Sequence, residues 1–338
     1  MVTWGHGALR PRKLRHPIVH ALVAAAGLVA ATPAHAQPTF AVTIDDPQNL
    51  FGLHGPWLRD MALAAANLWG QHLDSSASIE IVIHPDAGVP RGYGRSFVAT
   101  FRETVNGLFI VDQGMGAEVR TGIDPNGTDP DVEIAFNPAY VFGQFWYDPE
   151  PASRSTPVPG NRLDALSVML HEIGHALVYN GYINDFDGSY PHNFRSTFDV
   201  LTTFDGANFF FTGQSSTDHH GSPPPLTFGN TDHWGNLAPR PGADLIPELM
   251  NGVVFTFGTR YHVGPLDRAV IADCGLPLRS PCAADFSGDG LLDPDDLADY
   301  IACYFSPVPC ARADFNADGN TDPDDLSDYI AAYFAGCA

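Results

Sequence analysis

The chain has 338 residues, 39 of them acidic and 17 basic, for a net charge of -22 at pH 7. A surface this acidic repels polyanions, which argues against nucleic acid or an anionic membrane as a partner. The length allows one sizeable core and a small additional module.

Arg10, Arg12, Lys13 and Arg15 precede an apolar run from Ile18 to Ala31 and then Ala34-His35-Ala36. That succession describes a secretory signal peptide over residues 1–36, cleaved after Ala36, and predicts a secreted or extracytoplasmic protein. The apolar run is short for a membrane span, and no other stretch approaches about 18 uninterrupted apolar residues, so no integral membrane segment is expected. The rest of the chain carries every acidic residue, and its basic residues are all arginine.

Phe40 to Ile44 reads as a short strand. Pro56 to Leu73 places Trp57, Leu58, Met61, Leu63, Ala65, Leu68 and Trp69 in a helical pattern with proline near its start. Ser78 to His84 is β-branched and predicts a strand, stopped by Pro85-Asp86-Ala87-Gly88. Leu108 to Asp112 and Val132 to Phe136 are further strands. Between them Asp124-Pro125-Asn126-Gly127-Thr128-Asp129-Pro130-Asp131 alternates oxygen side chains suited to calcium, but a Pro/Gly/Asp cluster of this kind reads first as a plain turn. Pro151 to Gly160 reads as a loop.

The next run, Asn161 to Leu177, spaces Leu166, Met169, Leu170, Ile173 and Leu177 as an amphipathic helix with one face in a core. It contains His171-Glu172-Ile173-Gly174-His175. Residues four apart lie one turn apart on the same helix face, so His171 and His175 can offer two imidazoles to one ion. Glu172 stands beside that ion, placed to take a proton from water; this is the zinc-peptidase pattern HExxH. A catalytic zinc needs a third protein ligand and an open position. Candidates downstream are His192, His219, His220, His233 and His262, or an acidic ligand such as Asp199, Asp205 or Glu248.

Within Ala176 to Asp232, Phe209-Phe210-Phe211 reads as a small satellite core in preference to a cleft wall, and Asp218-His219-His220-Gly221 as a solvated loop. Gly264 to Gly275 reads as a helix that closes the first domain.

The tail holds an internal repeat. Asp285, Ser287, Asp289, Asp293 and Asp296 recur 29 residues later as Asp314, Asn316, Asp318, Asp322 and Asp325, at loop positions 1, 3, 5, 9 and 12, with glycine at position 6. This is EF-hand-like spacing, and Ca2+ is the natural ion. Each loop runs into a helix with apolar Leu297, Tyr300, Ile301 and Tyr304, or Leu326, Tyr329, Ile330 and Tyr333. The five cysteines all fall in the last quarter of the chain, which suggests disulfide staples in an exported protein. The preferred pairing is Cys303 with Cys310 and Cys282 with Cys337, leaving Cys274 buried and free; Cys274 with Cys282 is the rival.

The run His171 to Leu177, a long insertion, then His233-Trp234 and Glu248-Leu249-Met250, resembles the leishmanolysin-like branch of the metzincin zinc endopeptidases and its bacterial relatives. The resemblance implies an α+β, metzincin-like peptidase domain over residues 37–278 with a long active-site helix. It implies Zn2+ held by His171, His175 and His233, Glu172 as general base, Met250 in a turn beneath the metal, and a protein or peptide substrate. Metzincins usually carry glycine three residues after the second histidine; here that position is Val178, and Gly181 is the expected helix stop. The two loop-helix units over residues 279–338 look like a type I dockerin, which implies a cohesin-like partner; the plainer alternative is a calcium-stapled module without one. From another class, the alternative is a non-catalytic calcium-dependent adhesion or scaffold protein with a vestigial HExxH helix.

Overall fold

The structure is a computed structural model that describes residues 36–279, 282–287, 292–308 and 310–336. The expected signal segment up to residue 35, Asp289 and Cys337 lie outside the described residues. The described residues form an α+β fold with mixed sheets.

Strand β1 (Thr39–Ile44), helix α1 (His54–Gly70) and strand β2 (Ser78–Pro85) form a β-α-β unit, with β1 and β2 parallel from Thr39 opposite Ser78 to Ile44 opposite Ile83. Alternate residues Ile79, Ile81 and Ile83 bury one face of β2, and α1 lays Leu58, Met61, Ala65 and Trp69 into the core. Strand β3 (Gly92–Ser96) and strand β4 (Ala99–Val105) carry no apolar signal, one being glycine-rich and the other polar on alternate positions. Strand β5 (Leu108–Gln113) runs directly into helix α2 (Gly114–Thr121), whose glycine-bearing start hides it from a periodicity search. Strand β6 (Val132–Phe136) is buried along its whole length. It sits between β2, to which it is parallel, and β3, to which it is antiparallel, in the order β1-β2-β6-β3. The glycine-rich β3 is therefore an edge strand.

Helix α3 (Pro138–Gln144), capped by the Asn137 side chain, strand β7 (Phe145–Trp146) and strand β8 (Leu163–Asp164) lead to helix α4 (Ala165–Leu177). Residues 161–164 are not helical, so α4 begins four residues later than the pattern suggests. It is also not half-exposed: of its side chains only His175 is not buried. The indole of Trp69 donates to the Leu170 carbonyl at 2.9 Å, α1 and β3 pack along the helix, and the long insertion follows it.

That insertion folds as strand β9 (Phe194–Ser196), helix α5 (Thr197–Val200), strand β10 (Thr202–Phe204), strand β11 (Phe209–Phe211), helix α6 (Gln214–His220), strand β12 (Pro225–Thr227) and strand β13 (Asn230–Trp234). Strand β9 joins β5, and β10 to β13 form an antiparallel sheet. Phe209 and Phe211 are fully buried in the main core with Phe198 and Trp234, not in a satellite. His219 and His220 lie on α6, not in a loop. Helix α7 (Pro265–Asp273) closes the domain, and Cys274 behind it is buried and free.

In the tail, helix α8 (Pro294–Tyr304) and helix α9 (Pro323–Ala335) start with matching capping boxes, Asp293 with Asp296 and Asp322 with Asp325. Tyr300 and Tyr329, equivalent in the repeat, are fully buried and stacked with ring centroids 3.7 Å apart and 7° between planes. Tyr300 donates to the Ala313 carbonyl at 3.2 Å and Tyr329 to the Ala284 carbonyl at 3.0 Å, again a pair related by the repeat. Phe286 and Phe315 meet the stacked rings edge-on at 5.3 Å. The two copies thus form one small core around a local two-fold relation. Cys303 and Cys310 are joined, with Cα atoms 5.5 Å apart.

Because this core is small, Tyr300→Ala is expected to cost about 3–5 kcal/mol, enough to unfold a module of this size. Limited proteolysis of the variant should nick residues 282–336 and leave residues 36–279 intact; a tail as resistant as the parent's would contradict the central role of the stack.

Candidate metal centre

Helix α4 places His171 and His175 one turn apart, and β13 brings in His233 from the far end of the insertion. The Nε2 atoms of His171 and His233 lie 3.0 Å apart, those of His175 and His233 3.0 Å, and those of His171 and His175 3.2 Å. His171 Nδ1 lies 2.9 Å from the Leu249 carbonyl, and His175 Nδ1 2.6 Å from the Tyr179 carbonyl. A carbonyl only accepts, so each Nδ1 carries the ring's proton and each Nε2 presents a bare lone pair. His233 Nδ1 is buried without a hydrogen-bond partner, so no carbonyl fixes its tautomer.

Lone pairs converging at this separation repel one another unless a proton or a cation lies between them. A tetrahedral ion with bonds of about 2.0–2.1 Å would space its nitrogen ligands by roughly 3.3 Å, close to the spacing observed. Burial, reinforced by the neighbouring rings, pushes His171 down to about 3 and His233 well below the usual range, and burial alone takes His175 to about 4. Neutral imidazole is the ligating form. The donor set therefore fits a zinc-type ion.

The three rings face a cavity of about 420 Å³, also lined by Tyr93, Tyr140, Glu172, Asn180 and Phe255. Glu172 is 8 % exposed; burial pushes its carboxyl up to about 8, against the opposing pull of a hydrogen bond from the Gly94 backbone. A Cβ at Gly94 would stand 2.2 Å from the Glu172 carbonyl oxygen. Only glycine lets edge strand β3 press this closely against α4.

Met250 is fully buried beneath the helix, where a Cβ on Gly174 would come within 2.7 Å of its sulfur. Its turn does two jobs. The Leu249 carbonyl orients His171, while the Met250 carbonyl accepts from Trp234 N at 2.8 Å and so ties the turn to the strand carrying His233.

Helix α4 stops at Leu177 without glycine: Val178 leaves the helical region at φ -150°, and the N–H groups of Val178 and Tyr179 both reach the Gly174 carbonyl. Gly181 is not the helix stop. It is small because Asp199 packs against it, a Cβ there falling 2.5 Å from the carboxylate. Asp199 accepts from the backbone N–H of Tyr182, Ile183 and Ser196, and Asp205 from those of Ala207 and Asn208. Neither these nor Glu248 groups with His171 and His175. The other histidines are elsewhere: His192 stacks on Phe194, His219 lies on α6, His220 faces Asp244 and His262 faces Arg154.

In the tail, the second loop is fully described. Asp314 accepts from Asp318 N and Gly319 N, Asn316 from Asp318 N, Asp318 from Asn320 N, and Asp322 from Asp324 N. Asp325 accepts from Phe315 N, Asn316 N and Asp322 N, which closes the loop from position 12 to positions 2, 3 and 9. Its carboxylates are not drawn together around one point. In the first loop Asp296 makes the matching bonds to Ser287 N and Asp293 N.

Sequence reasoning missed the support behind His175. Tyr179, whose carbonyl orients that ring, donates its hydroxyl to fully buried Asp267 at 3.2 Å, and Asp267 also accepts from Gly264 N at 2.8 Å. No motif marks Asp267; only the packing of α7 against the end of α4 does. No family profile, curated protein or solved structure matches the chain.

Burial pushes Asp267 up to about 7. The unfolded chain releases that proton near pH 3.8, so between about pH 4 and 7 the native state holds one proton more, and stability falls as pH rises through that window. Asp267→Asn keeps an acceptor oxygen for Gly264 N, turns its amide N–H toward the Tyr179 hydroxyl oxygen, and has nothing to titrate. Urea midpoints of parent minus variant should decline from pH 4 to pH 7; a pH-independent difference would mean that Asp267 is ionised throughout.

Proposed function

We propose that the chain is an exported zinc metalloendopeptidase with a C-terminal calcium-binding docking module. The observation that carries this reading is the convergence of three Nε2 atoms within 3.0–3.2 Å of one another, beside a buried glutamate in an open cavity. His171, His175 and His233 would hold Zn2+, which when bound polarises a scissile carbonyl and lowers the pKa of its water toward about 7.

The remaining steps belong to the protein. Glu172 takes the proton of the attacking water on its carboxylate and returns it to the leaving amine. It must be ionised for the first step, and beside a divalent cation the carboxyl loses its proton at lower pH than burial alone allows. Edge strand β3, with Gly92, Tyr93 and Gly94 on the cavity wall, offers backbone groups along which an extended peptide lies as an added strand. Met250 serves as packing under the helix, and its turn keeps His171 and His233 in register.

In the tail, oxygen donors at EF-hand spacing favour Ca2+ in both loops. The exposed apolar residues Ile301 and Ile330, and Phe305 and Phe334, match in pairs across the repeat, which suits docking onto a cohesin-like partner.

Glu172→Gln should keep one equivalent of zinc and lose about 10²–10⁴-fold in peptide hydrolysis; near-normal turnover would remove Glu172 from its role. His233→Ala should lose zinc in elemental analysis, whereas alanine at His192, His219, His220 or His262 should leave it bound. Calcium chelation is expected to open residues 283–338 to proteolysis with zinc retained, and a digestion pattern that ignores calcium would count against working loops.

A further inference from the structure

A second group of ligand-type side chains shares no residue with the histidine centre. Glu118 on α2, Asp124 in the following loop and Asp131 just before β6 bring carboxylate oxygens within 4.8 Å of one another. Glu118 and Asp131 are 2 % and 1 % exposed. In each, one oxygen is held by the backbone: Ser78 N donates to Glu118 Oε1 at 2.9 Å and Glu80 N to Asp131 Oδ2 at 2.9 Å. The other oxygen of each, Glu118 Oε2 and Asp131 Oδ1, is buried with no hydrogen-bond partner, and so is Asn126 Oδ1 in the same loop. Three buried acceptors without a donor, on side chains otherwise pinned in place, are costly unless something electropositive meets them.

No neighbouring cation does so. Burial raises both groups, Asp131 to about 6; the charge of Glu118 adds to this on Asp131 and the charges of Asp124 and Glu80 add to it on Glu118, while hydrogen bonding of Asp131 with Glu118 and with Glu80 works against it on Glu118 and Asp131 respectively. The loop is shaped for this company. Asp124 Oδ1 accepts from Asn126 N and Gly127 N, while the Asn126 amide nitrogen donates to the Pro130 carbonyl, so the amide oxygen is left for another partner. Carboxylates and an amide oxygen, with no nitrogen or sulfur donor, are the set that hard cations take, and a flexible polydentate loop suits calcium better than the strict octahedron of magnesium.

We infer that Glu118, Asp124, Asn126 and Asp131 form a calcium site that fastens the loop of residues 122–131 to α2 and β6. This site is independent of the peptidase reading and of the repeated tail loops.

The test uses the full chain carrying Glu172→Gln to suppress autolysis. Asp124→Asn preserves the acceptor for the loop's own N–H groups and removes a charge, and Asp131→Asn preserves the acceptor for Glu80 N. In equilibrium dialysis against calcium, each should bind one equivalent less than the parent, and adding Asp124→Asn to Asp314→Asn, which alters only the tail, should remove one equivalent from what Asp314→Asn alone binds. Calcium should also protect the bonds of residues 122–131 from an added protease in the parent and in Asp314→Asn, but not in Asp124→Asn. The rival is a proton shared between Glu118 and Asp131. Equal calcium stoichiometry in the parent, Asp124→Asn and Asp131→Asn, with loop cleavage indifferent to calcium, would overturn the site in favour of that shared proton.

Discussion

Two backbone carbonyls, those of Leu249 and Tyr179, govern the centre by accepting the Nδ1 protons of His171 and His175. Since a neutral imidazole has a single ring proton, fixing it at Nδ1 fixes the lone pair at Nε2 and aims it at the other rings. Both carbonyls belong to segments that are themselves immobilised. Leu249 precedes Met250, wedged under Gly174, and Tyr179 is anchored through its hydroxyl to Asp267. The orientation of the rings therefore depends on core packing more than on the five-residue motif.

The same dependence accounts for the character of α4. A helix exposed on one side would leave its histidines solvated and able to protonate near pH 6.5. Packed against α1, with its Trp69, and against β3, and sharing one core with Phe198, Phe209, Phe211 and Trp234, it keeps them neutral. The long insertion thus delivers His233 and adds its aromatic residues to the core in which the rings are held in their ligating form. Glycine at position 94 completes the enclosure by letting an edge strand lie against the helix backbone.

The tail solves a different problem with different means. Residues from each copy are too few to bury a core alone, and the two copies share one by stacking Tyr300 on Tyr329 and exchanging hydroxyl-to-carbonyl bonds. Each loop is closed by the carboxylate that also begins the next helix, Asp296 or Asp325, so loop shape and helix start are coupled through one side chain.

Local chemistry was enough to read the strands β1, β2, β5 and β6, helices α1 and α7, the repeat with its helices, and the pairing of His171 with His175, because period, capping residues and i, i+4 spacing are properties of neighbouring residues. Strand β3, strand β4 and helix α2 stayed hidden because glycine and polar residues carry no periodic signal, and their structure comes from the edges they meet. The helix stop at Leu177, the burial of α4 on all sides and the place of Asp267 were likewise undetermined by sequence. The loop at residues 124–131 shows the division most clearly. Its composition could announce a turn, but Glu118 lies on a preceding helix and Asp131 on a strand boundary. Only the folding of α2 against β2, with β6 paired to β2, brings their unpartnered oxygens together, since long-range proximity is a property of packing and not of spacing along the chain.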